Sequence, residues 1–279
     1  MLAMPGAWAE TAPIVVTDDQ GNEIRLPQAA QRIVSLSPHT TEMLFAAGAG
    51  ARLVGVSNYS DYPAAARQIA SVGSINALDL EKILTLKPDL VVAWHSGNKA
   101  SQVARLRQFG IPVFESQPQD FETIASSLER LGRLSGTQAE GATAAAGFRR
   151  RWQGLRQKYA ERRPVSVFYQ IWSQPLMTLN GRHMVSSVLR LCGGSNIFAE
   201  LPQLAPTISV EAVLAADPEV ILTPSDAKDQ PLERWRQYGR LQAVTKQHLY
   251  VVNADWLNRA GPRILDATEQ VCGLLEKVR

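Results

Sequence analysis

The sequence predicts an α/β protein of two similar lobes, and three observations support this fold class. Short apolar runs of strand length alternate with segments of helical periodicity, the order expected of mostly parallel sheets. One helix–turn–strand pattern occurs twice along the chain. A long segment free of proline separates the two halves and has the composition of a single helix. The predicted regions are 1–31 (signal remnant and N-terminal strand region), 32–136 (N-terminal α/β lobe), 137–163 (connecting helix) and 164–279 (C-terminal α/β lobe).

The repeated pattern is the strongest sign of two related lobes. In the first copy, residues 79–93, apolar positions fall on one helical face, Pro88 stops the helix, and a short β-run begins at Leu90. Residues 209–223 follow the same plan at an offset of about 130 residues. The matching positions are Glu81 with Glu211 and Pro88 with Pro218.

Each lobe contains several short apolar runs that we interpret as strands. The first run ends at Ser37, a good N-cap, and Pro38 suits the first helical position, so a helix is expected from there to Ala47. The second lobe begins after a helical stripe of apolar residues in 137–163, which we assign to packing and to a stiff connector. The predicted strands are 32–36, 53–56, 89–94 and 111–114 in the first lobe and 165–171, 220–223 and 249–253 in the second.

Composition limits the class of partner. The chain has 279 residues, 45% hydrophobic and 20% charged, the balance of a globular protein with room for two lobes. The net charge is only +3, and the short cluster 149–151 is expected to be a solvated helix face, so no nucleic-acid partner is indicated. No window of eighteen apolar residues predicts a membrane-spanning helix.

The N-terminus suggests export. Ala7-Trp8-Ala9 followed by Glu10 is similar to the small-x-small cleavage site of a secretory signal peptide. Because residues 1–9 lack a basic region and a full apolar stretch, we interpret them as the tail of a signal that starts upstream. An ordinary disordered N-terminus is the alternative.

Two cysteines, Cys192 and Cys272, lie far apart and outside any CxxC motif, so neither zinc binding nor thioredoxin-type chemistry is indicated. In an exported protein one disulfide is the simplest interpretation. It would close a loop of roughly 80 residues, for which the chain-entropy model gives about 4–5 kcal/mol. Two unpaired buried cysteines remain the alternative.

Four loops that follow predicted strands carry residues that no core requires, and ligands of open α/β sheets bind at such strand ends. The loops are 37–40, 58–63, 94–98 and 255–259. Aromatic side chains there offer flat apolar surface and charged ones offer fixed polar contacts, which suits a large planar ligand with hydrogen-bonding edges. Simple packing is the alternative for each aromatic. These side chains are Tyr59, Trp94, Trp256, Asp255 and Arg259.

Signatures of catalysis are absent from the sequence. It contains no GxSxG, P-loop, HExxH or helix-opening GxGxxG motif. The histidines, including His183 and His248, are dispersed and show no metal-ligand spacing. His39 and His95 fall at predicted loops, so either could reach a metal centre carried by the ligand; otherwise they are exposed or hydrogen-bonded. The sequence predicts a binding protein without a cofactor.

Several motifs resemble one known family over nearly the whole chain from about Ile14. Together they are similar to the helical-backbone metal-receptor family, the class III substrate-binding proteins of ABC importers for cobalamin, haem and iron–siderophore complexes, and most similar to its cobalamin-binding members. The N-terminal motifs are Arg32-Ile-Val-Ser-Leu-Ser-Pro38 with Thr41-Glu42, Leu53-Val-Gly-Val56, Tyr59-Ser-Asp-Tyr-Pro63, Leu86-Lys-Pro-Asp-Leu90 and Ala93-Trp94. The C-terminal motifs are Val188-Leu-Arg-Leu-Cys-Gly-Gly-Ser-Asn-Ile-Phe198, Asp255-Trp256, Arg259-Ala260 and Pro262-Arg263.

The resemblance implies two Rossmann-like lobes joined by one long helix, with a ligand cleft between them. It implies a monomeric periplasmic protein that delivers cobalamin or another corrinoid to a dimeric inner-membrane ABC permease. Glu81 and Glu211 would dock into the two permease subunits, and the family's disulfide falls on Cys192 and Cys272. By similarity the corrinoid contacts are Tyr59, Trp94, Asp255 and Arg259, and the predicted set is completed by Pro38, His39, Trp172 and Trp256.

The sequence also departs from the cobalamin-binding pattern. Ile75 and Ala205 stand where the cobalamin-binding members have tryptophan. Trp172 stands near a position where those members have glycine. Cobinamide or a more open pocket would fit these changes. The alternatives are haem, with Tyr59 or His39 as axial ligand, an iron–siderophore complex, or an enzyme that acts on a tetrapyrrole.

Overall fold

The computed structural model describes residues 12–159, 161–225 and 232–279. The predicted signal remnant at 7–9 lies outside the described residues. The first compact lobe contains the described residues up to Gln117 together with Ser127–Ala144. The second contains Pro118–Ser126 and Ala145–Arg279. The boundary therefore cuts two helices, so each of them contributes residues to both lobes.

The helices and strands alternate along the chain as the apolar pattern predicts. Those before the lobe boundary are β1 Ile14–Thr17, β2 Glu23–Leu26, β3 Ile33–Ser35, α1 Pro38–Ala46, β4 Leu53–Val56, β5 Gly73–Ser74, β6 Ala77–Leu78, α2 Leu80–Thr85, β7 Leu90–Trp94, α3 Ala100–Gln108 and β8 Val113–Ser116. The two helices at the boundary are α4 Phe121–Ser135 and α5 Gln138–Tyr159. The remaining elements are β9 Val165–Tyr169, β10 Trp172–Ser173, β11 Leu176–Met177, α6 Met184–Leu191, β12 Gly194–Asn196, α7 Val210–Ala216, β13 Val220–Ser225, α8 Gln242–Thr245, β14 Leu249–Asn253, α9 Ala254–Leu257 and α10 Ile264–Glu276.

Each lobe is built on a four-stranded parallel sheet. The strand orders are β4-β3-β7-β8 in the first lobe and β12-β9-β13-β14 in the second. When the strands of each sheet are counted in chain order, both sheets read 2-1-3-4. The two lobes therefore share one topology, and the predicted fold class is confirmed.

The sheets are buried because their strands are apolar on both faces. In β7, Leu-Val-Val-Ala is completely buried, as expected of a central parallel strand covered by helices. Burying one such side chain stabilises the fold by roughly 1.5–3 kcal/mol. The core of the first lobe includes Val34, Val91, Ile83 and Leu106, and that of the second includes Phe168, Ile221, Val213 and Trp235.

The repeat extends to the caps and turns that flank α2 and α7. Asp79 Oδ1 accepts a hydrogen bond from Lys82 N at 2.9 Å, and Ser209 Oγ accepts one from Ala212 N at 3.2 Å. Such a cap is worth about 1 kcal/mol to a short helix. After each helix the chain turns through a left-handed residue just before the proline. These residues are Lys87 and Asp217, with φ of 47° and 40°.

A carboxylate after each proline ties the repeat to the first strand of its sheet. Asp89 accepts hydrogen bonds from Gln31 N and Arg32 N, at 2.8 and 3.0 Å. Glu219 accepts one from Ser166 N at 3.0 Å. Burial acts to raise the pKa of Glu219, but this bond and the Arg163 guanidinium outweigh it and lower the pKa.

Five of the seven predicted strands differ from the structure by one or two residues at an end, namely 32–36, 89–94, 111–114, 165–171 and 220–223. The run predicted at 111–114 is a strand at Val113–Ser116, because Pro112 has no N–H to donate and Glu115 N is held by Asp18 Oδ2 at 3.1 Å. The run predicted at 165–171 ends as a strand at Tyr169, and the chain then enters the β10–β11 hairpin. The long helix ends at Tyr159, before the predicted end at 163.

A disulfide joins Cys192, at the end of α6, to Cys272 in α10, with an S–S distance of 2.01 Å. The predicted bridge is confirmed, and the alternative of two unpaired cysteines is wrong. Both residues are completely buried. None of the described helices combines the length and the apolarity needed to cross a bilayer.

Breaking this bridge should destabilise the protein strongly. The two cysteines are 80 residues apart, so reduction restores the entropy of a long loop and should lower the free energy of unfolding by about 4–5 kcal/mol. Guanidinium unfolding with and without reductant measures the difference without any change of sequence. The double variant C192A/C272A is the control and should not respond to reductant. A wild-type midpoint that reductant leaves in place would refute the expectation.

Candidate functional site

The shared strand order places a crevice at the carboxyl edge of each sheet. Where the order reverses between the first and third strands, the loops that follow them diverge, and open α/β sheets bind ligands there. In the first lobe these strands are β3 and β7, so the predicted loops 37–40 and 94–98 meet at this point. Asn98 Nδ2 donates to Leu36 O at 3.1 Å, which joins the two loops directly.

Trp94 is the last residue of β7, and its half-buried ring is held from two sides. The edge of His39 contacts it with ring centroids 5.5 Å apart and an interplanar angle of 84°. The backbone of Gly97 lies against the indole, since a methyl group on Gly97 would be 2.0 Å from Trp94 Cε3. The structure therefore brings Trp94 and His39 together, as the predicted site requires.

His39 is buried and engaged at both ring nitrogens. Nδ1 lies 3.0 Å from Ser37 Oγ and Nε2 lies 3.4 Å from Ser116 Oγ. Burial lowers the pKa of His39 to about 3, so the imidazole is neutral at physiological pH. Pro38 precedes it at the start of α1, where Ser37 caps the helix. These contacts support a structural role for His39 beneath Trp94 and not the axial role that the sequence suggested.

Tyr59 is the most exposed aromatic of the first lobe's predicted loops, with 80% of its surface accessible. Its backbone is left-handed, with φ of 65°, a conformation that costs a bulky residue about 1–2 kcal/mol. The turn is held by Ser60, whose N donates to Ser57 O at 3.2 Å and whose Oγ accepts from Thr41 Oγ1 at 3.0 Å. A pocket of about 410 Å³ adjoins this turn. Strain retained at an exposed aromatic favours a binding role.

His95 follows Trp94 but belongs to a different set of contacts. Its Nδ1 lies 2.6 Å from Glu115 Oε2, and Arg107 Nη2 lies 2.5 Å from Glu115 Oε1. The pair ties the turn after β7 to β8 and α3. His95 is therefore an anchor of the turn in this structure, and its predicted role as an axial ligand gains no support.

In the second lobe, the predicted polar residues lie on and after α9, which follows β14. Arg259 Nη2 lies 2.8 Å from Asp255 Oδ1, with the guanidinium mostly buried and the carboxylate exposed. Such a half-exposed pair adds at most about 1 kcal/mol to stability, but it orients the guanidinium. Trp256, the residue after Asp255, is half-buried, and its backbone N–H donates to Asn253 Oδ1 at 3.0 Å.

Asn258 anchors this segment to the first strand of the second sheet. Tyr169, the last residue of β9, donates from its hydroxyl to Asn258 Oδ1 at 2.7 Å. Burial raises the pKa of Tyr169 well above its usual value, which keeps the hydroxyl protonated as the donor. This anchor was not predicted from the sequence, because nothing in the strand pattern separates Tyr169 from an ordinary core aromatic.

Trp172 lies on the β10–β11 hairpin and is 61% exposed. Its Nε1 donates to Gln174 O at 2.8 Å, so the polar edge of the indole is already satisfied. What the ring offers to a ligand is its flat apolar face. A larger pocket of about 520 Å³ in this lobe is lined by Leu214 and Asp217, which precede β13 and so belong to the opposite, amino edge of the sheet.

Glu81 and Glu211 are exposed and occupy equivalent positions near the N-termini of α2 and α7. Hydrogen bonds from its own backbone N–H and from the Ser209 hydroxyl lower the pKa of Glu211. The helix dipole favours a carboxylate at such a terminus. Glu211 is therefore ionised at neutral pH.

Comparison with known proteins identifies the family. The sequence pattern of the periplasmic binding protein family matches residues 33–255, most of the chain. The chain belongs to this family.

Relatives of this periplasmic binding protein share much of its sequence. The vitamin B12-binding protein of Vibrio cholerae serotype O1 (strain M66-2) is 45% identical over 251 residues, which cover 90% of this chain and 91% of the relative. The vitamin B12-binding protein of Yersinia pestis (strain Pestoides F) is 42% identical over 245 residues, 88% of this chain and 86% of the relative.

Solved structures show the same fold. The periplasmic vitamin B12 binding protein BtuF of Vibrio cholerae matches with a TM-score of 0.83 and 44% identity, over 89% of this chain and 98% of that one. The periplasmic heme-binding protein RhuT from Roseiflexus sp. RS-1 matches with a TM-score of 0.77 over 90% of this chain and 99% of that one. At 22% identity the second likeness concerns the fold alone.

The buried His39 should make the protein less stable in acid. Its pKa falls from 6.5 in the unfolded chain to about 3 in the fold, so below pH 6.5 the unfolded state takes up the proton first. Stability is therefore lost as pH falls from about 6.5 towards 3, by about 2 kcal/mol from this residue at pH 5. Unfolding free energies measured at pH 7 and pH 5 should differ less in H39Q than in the wild type. Equal differences in the two proteins would contradict this expectation.

Proposed function

We propose that this chain captures a corrinoid, such as cobalamin or cobinamide, in the periplasm and delivers it unaltered to an ABC importer of the inner membrane. The observation that carries the proposal is the 45% identity, over 90% of the chain, to the vitamin B12-binding protein of Vibrio cholerae. Two features of the structure support it independently. Aromatic side chains are exposed in loops that follow strands in both lobes, and in the second lobe Asp255 orients the mostly buried guanidinium of Arg259.

The chemistry of these side chains suits a corrinoid. A corrin ring has broad apolar faces and a rim of amide side chains, so it needs flat aromatic contacts together with hydrogen bonds at its edge. We assign the flat contacts to Tyr59, Trp94, Trp172 and Trp256, and the polar contacts to Asp255 and Arg259. Pro38 begins α1, next to His39 whose ring contacts Trp94, and would add apolar surface.

We further propose that Glu81 and Glu211 are the contacts to the importer. Their positions are 130 residues apart in sequence and equivalent in the two lobes, each in the first turn of a short capped helix. A dimeric permease presents the same surface twice, so a protein with one exposed carboxylate at the same place in each lobe matches it.

Calorimetric titration with cyanocobalamin, cobinamide and haemin tests the ligand. The wild type should bind one corrinoid per chain, and the ligand should be recovered unchanged. Removing a stacked aromatic costs about 1–3 kcal/mol, so W94A should bind roughly 5- to 150-fold more weakly. F109A is the matched control, because Phe109 is also exposed but lies at the end of α3. The proposal would be overturned if the protein bound haemin and bound neither corrinoid.

Charge reversal tests the docking proposal separately from ligand binding. E81K/E211K should bind a corrinoid as the wild type does but should lower corrinoid uptake through the reconstituted importer by at least about tenfold, since two buried interface charges would become repulsive. E161K/E200K reverses two other exposed carboxylates and is the matched control. Normal uptake with E81K/E211K would exclude these glutamates as the docking contacts.

A further inference from the structure

The turn after β7 closes on itself around one asparagine. Trp94 N donates to Asn98 Oδ1 at 2.7 Å, and Trp94 O accepts from Asn98 N at 2.9 Å and from Gly97 N at 3.2 Å. The backbone N–H of Trp94 is therefore bound by the side chain of Asn98, and its carbonyl is bound by backbone N–H groups of the turn. Both backbone polar groups of Trp94 are fixed.

The same asparagine fixes the turn to the rest of the lobe. Its Nδ2 donates to Leu36 O at 3.1 Å, just beyond β3, and to Ile75 O at 3.2 Å, between β5 and β6. Asn98 is only 5% exposed, so each of these bonds is shielded from water. One side chain thus links three segments at the point where the strand order reverses.

Gly97 sets the position of the indole above this turn. A methyl group on Gly97 would lie 2.0 Å from Trp94 Cε3 and 2.3 Å from Trp94 Cδ2, far inside van der Waals contact. The φ of Gly97 is not in the left-handed region, so the backbone would accept alanine. Glycine is needed here for the space that the ring occupies and not for its conformational freedom.

The His39 ring lies perpendicular to the indole with centroids 5.5 Å apart, and Gly97 packs closely against it, so the indole is held in place before a ligand arrives. An aromatic side chain that is already held in place loses little conformational entropy on binding. It also meets the ligand at a fixed height, so a displaced ring loses contact energy steeply with distance.

We infer that Gly97 and Asn98 are positioning residues that set the height and tilt of Trp94 for stacking on the corrinoid. The inference rests on the proposed function and adds residues that do not themselves contact the ligand. It predicts that the affinity for the corrinoid depends on the position of the Trp94 ring and not only on the presence of a tryptophan at this site.

G97A tests this inference, because it keeps the tryptophan and displaces the ring. Its affinity for cyanocobalamin should fall by about tenfold relative to the wild type. G239A is the matched control: a methyl group at Gly239 meets nothing within 4 Å and its φ is not left-handed, so its affinity should equal that of the wild type. In the absence of ligand, the indole signal in near-ultraviolet circular dichroism should change in G97A and not in G239A.

A double-mutant cycle separates positioning from a general loss of structure. W94A and W94A/G97A should bind the corrinoid equally within about twofold, because alanine at 97 has no ring left to displace. N98A, which frees the turn, should also weaken binding less in the W94A background than alone. The inference is overturned if G97A binds as the wild type does, or if its loss of affinity persists undiminished without Trp94. If the wild-type protein binds no corrinoid, the proposed function is overturned, and with it the assignment of a corrinoid as the ligand of Trp94.

Discussion

The central strands of both parallel sheets are largely apolar on both faces, and this constraint determines where most polar side chains can lie. A central parallel strand such as β7 leaves no face for a charged or hydrogen-bonding side chain, because helices cover it on both sides. Polar groups therefore lie mainly near the ends of the strands and on edge strands such as β8, which carries Glu115. At the amino edge they serve the fold, as Asp89 and Glu219 do when they bind the backbone of the neighbouring strand. At the carboxyl edge they form the candidate site.

The shared 2-1-3-4 order narrows the site further, since the crevice at each carboxyl edge lies between the first and third strands. In the first lobe Asn98 fills the base of this crevice with its amide, which leaves Trp94 at its opening. In the second lobe the Tyr169–Asn258 hydrogen bond plays a comparable part, because it attaches the segment with Asp255 and Arg259 to the end of β9. The two lobes thus use one topology and different anchors.

The sequence predicts the fold well because the responsible signals are local. Strand-length apolar runs, the N-caps at Ser37 and Ser209, and the stops at Pro88 and Pro218 each act within a few residues of chain. The site was predicted only in outline. The loop positions of Tyr59 and Trp94 follow from strand ends, but the left-handed backbone of Tyr59 depends on Thr41, far away in sequence. The burial of His39 could not be predicted for the same reason, since it is in contact with Ser116 and Trp94, which are far away in sequence.

Three aromatic side chains proposed as ligand contacts are fixed by three different means, and the difference bears on how a ligand would be held. Tyr59 is presented by a strained turn that hydroxyl groups hold in place, Trp172 by a hydrogen bond to its own hairpin, and Trp94 by close packing on a glycine. An apolar side chain exposed to water tends to fold back onto its neighbours, and each of these contacts opposes that movement. In the case of Tyr59 the left-handed backbone does so at a cost to folding stability. A strained backbone is expected where a rigid side chain serves a function. A binding protein gains affinity from rigid contacts, because the conformational entropy of the aromatic side chains is lost during folding and not again when the ligand binds.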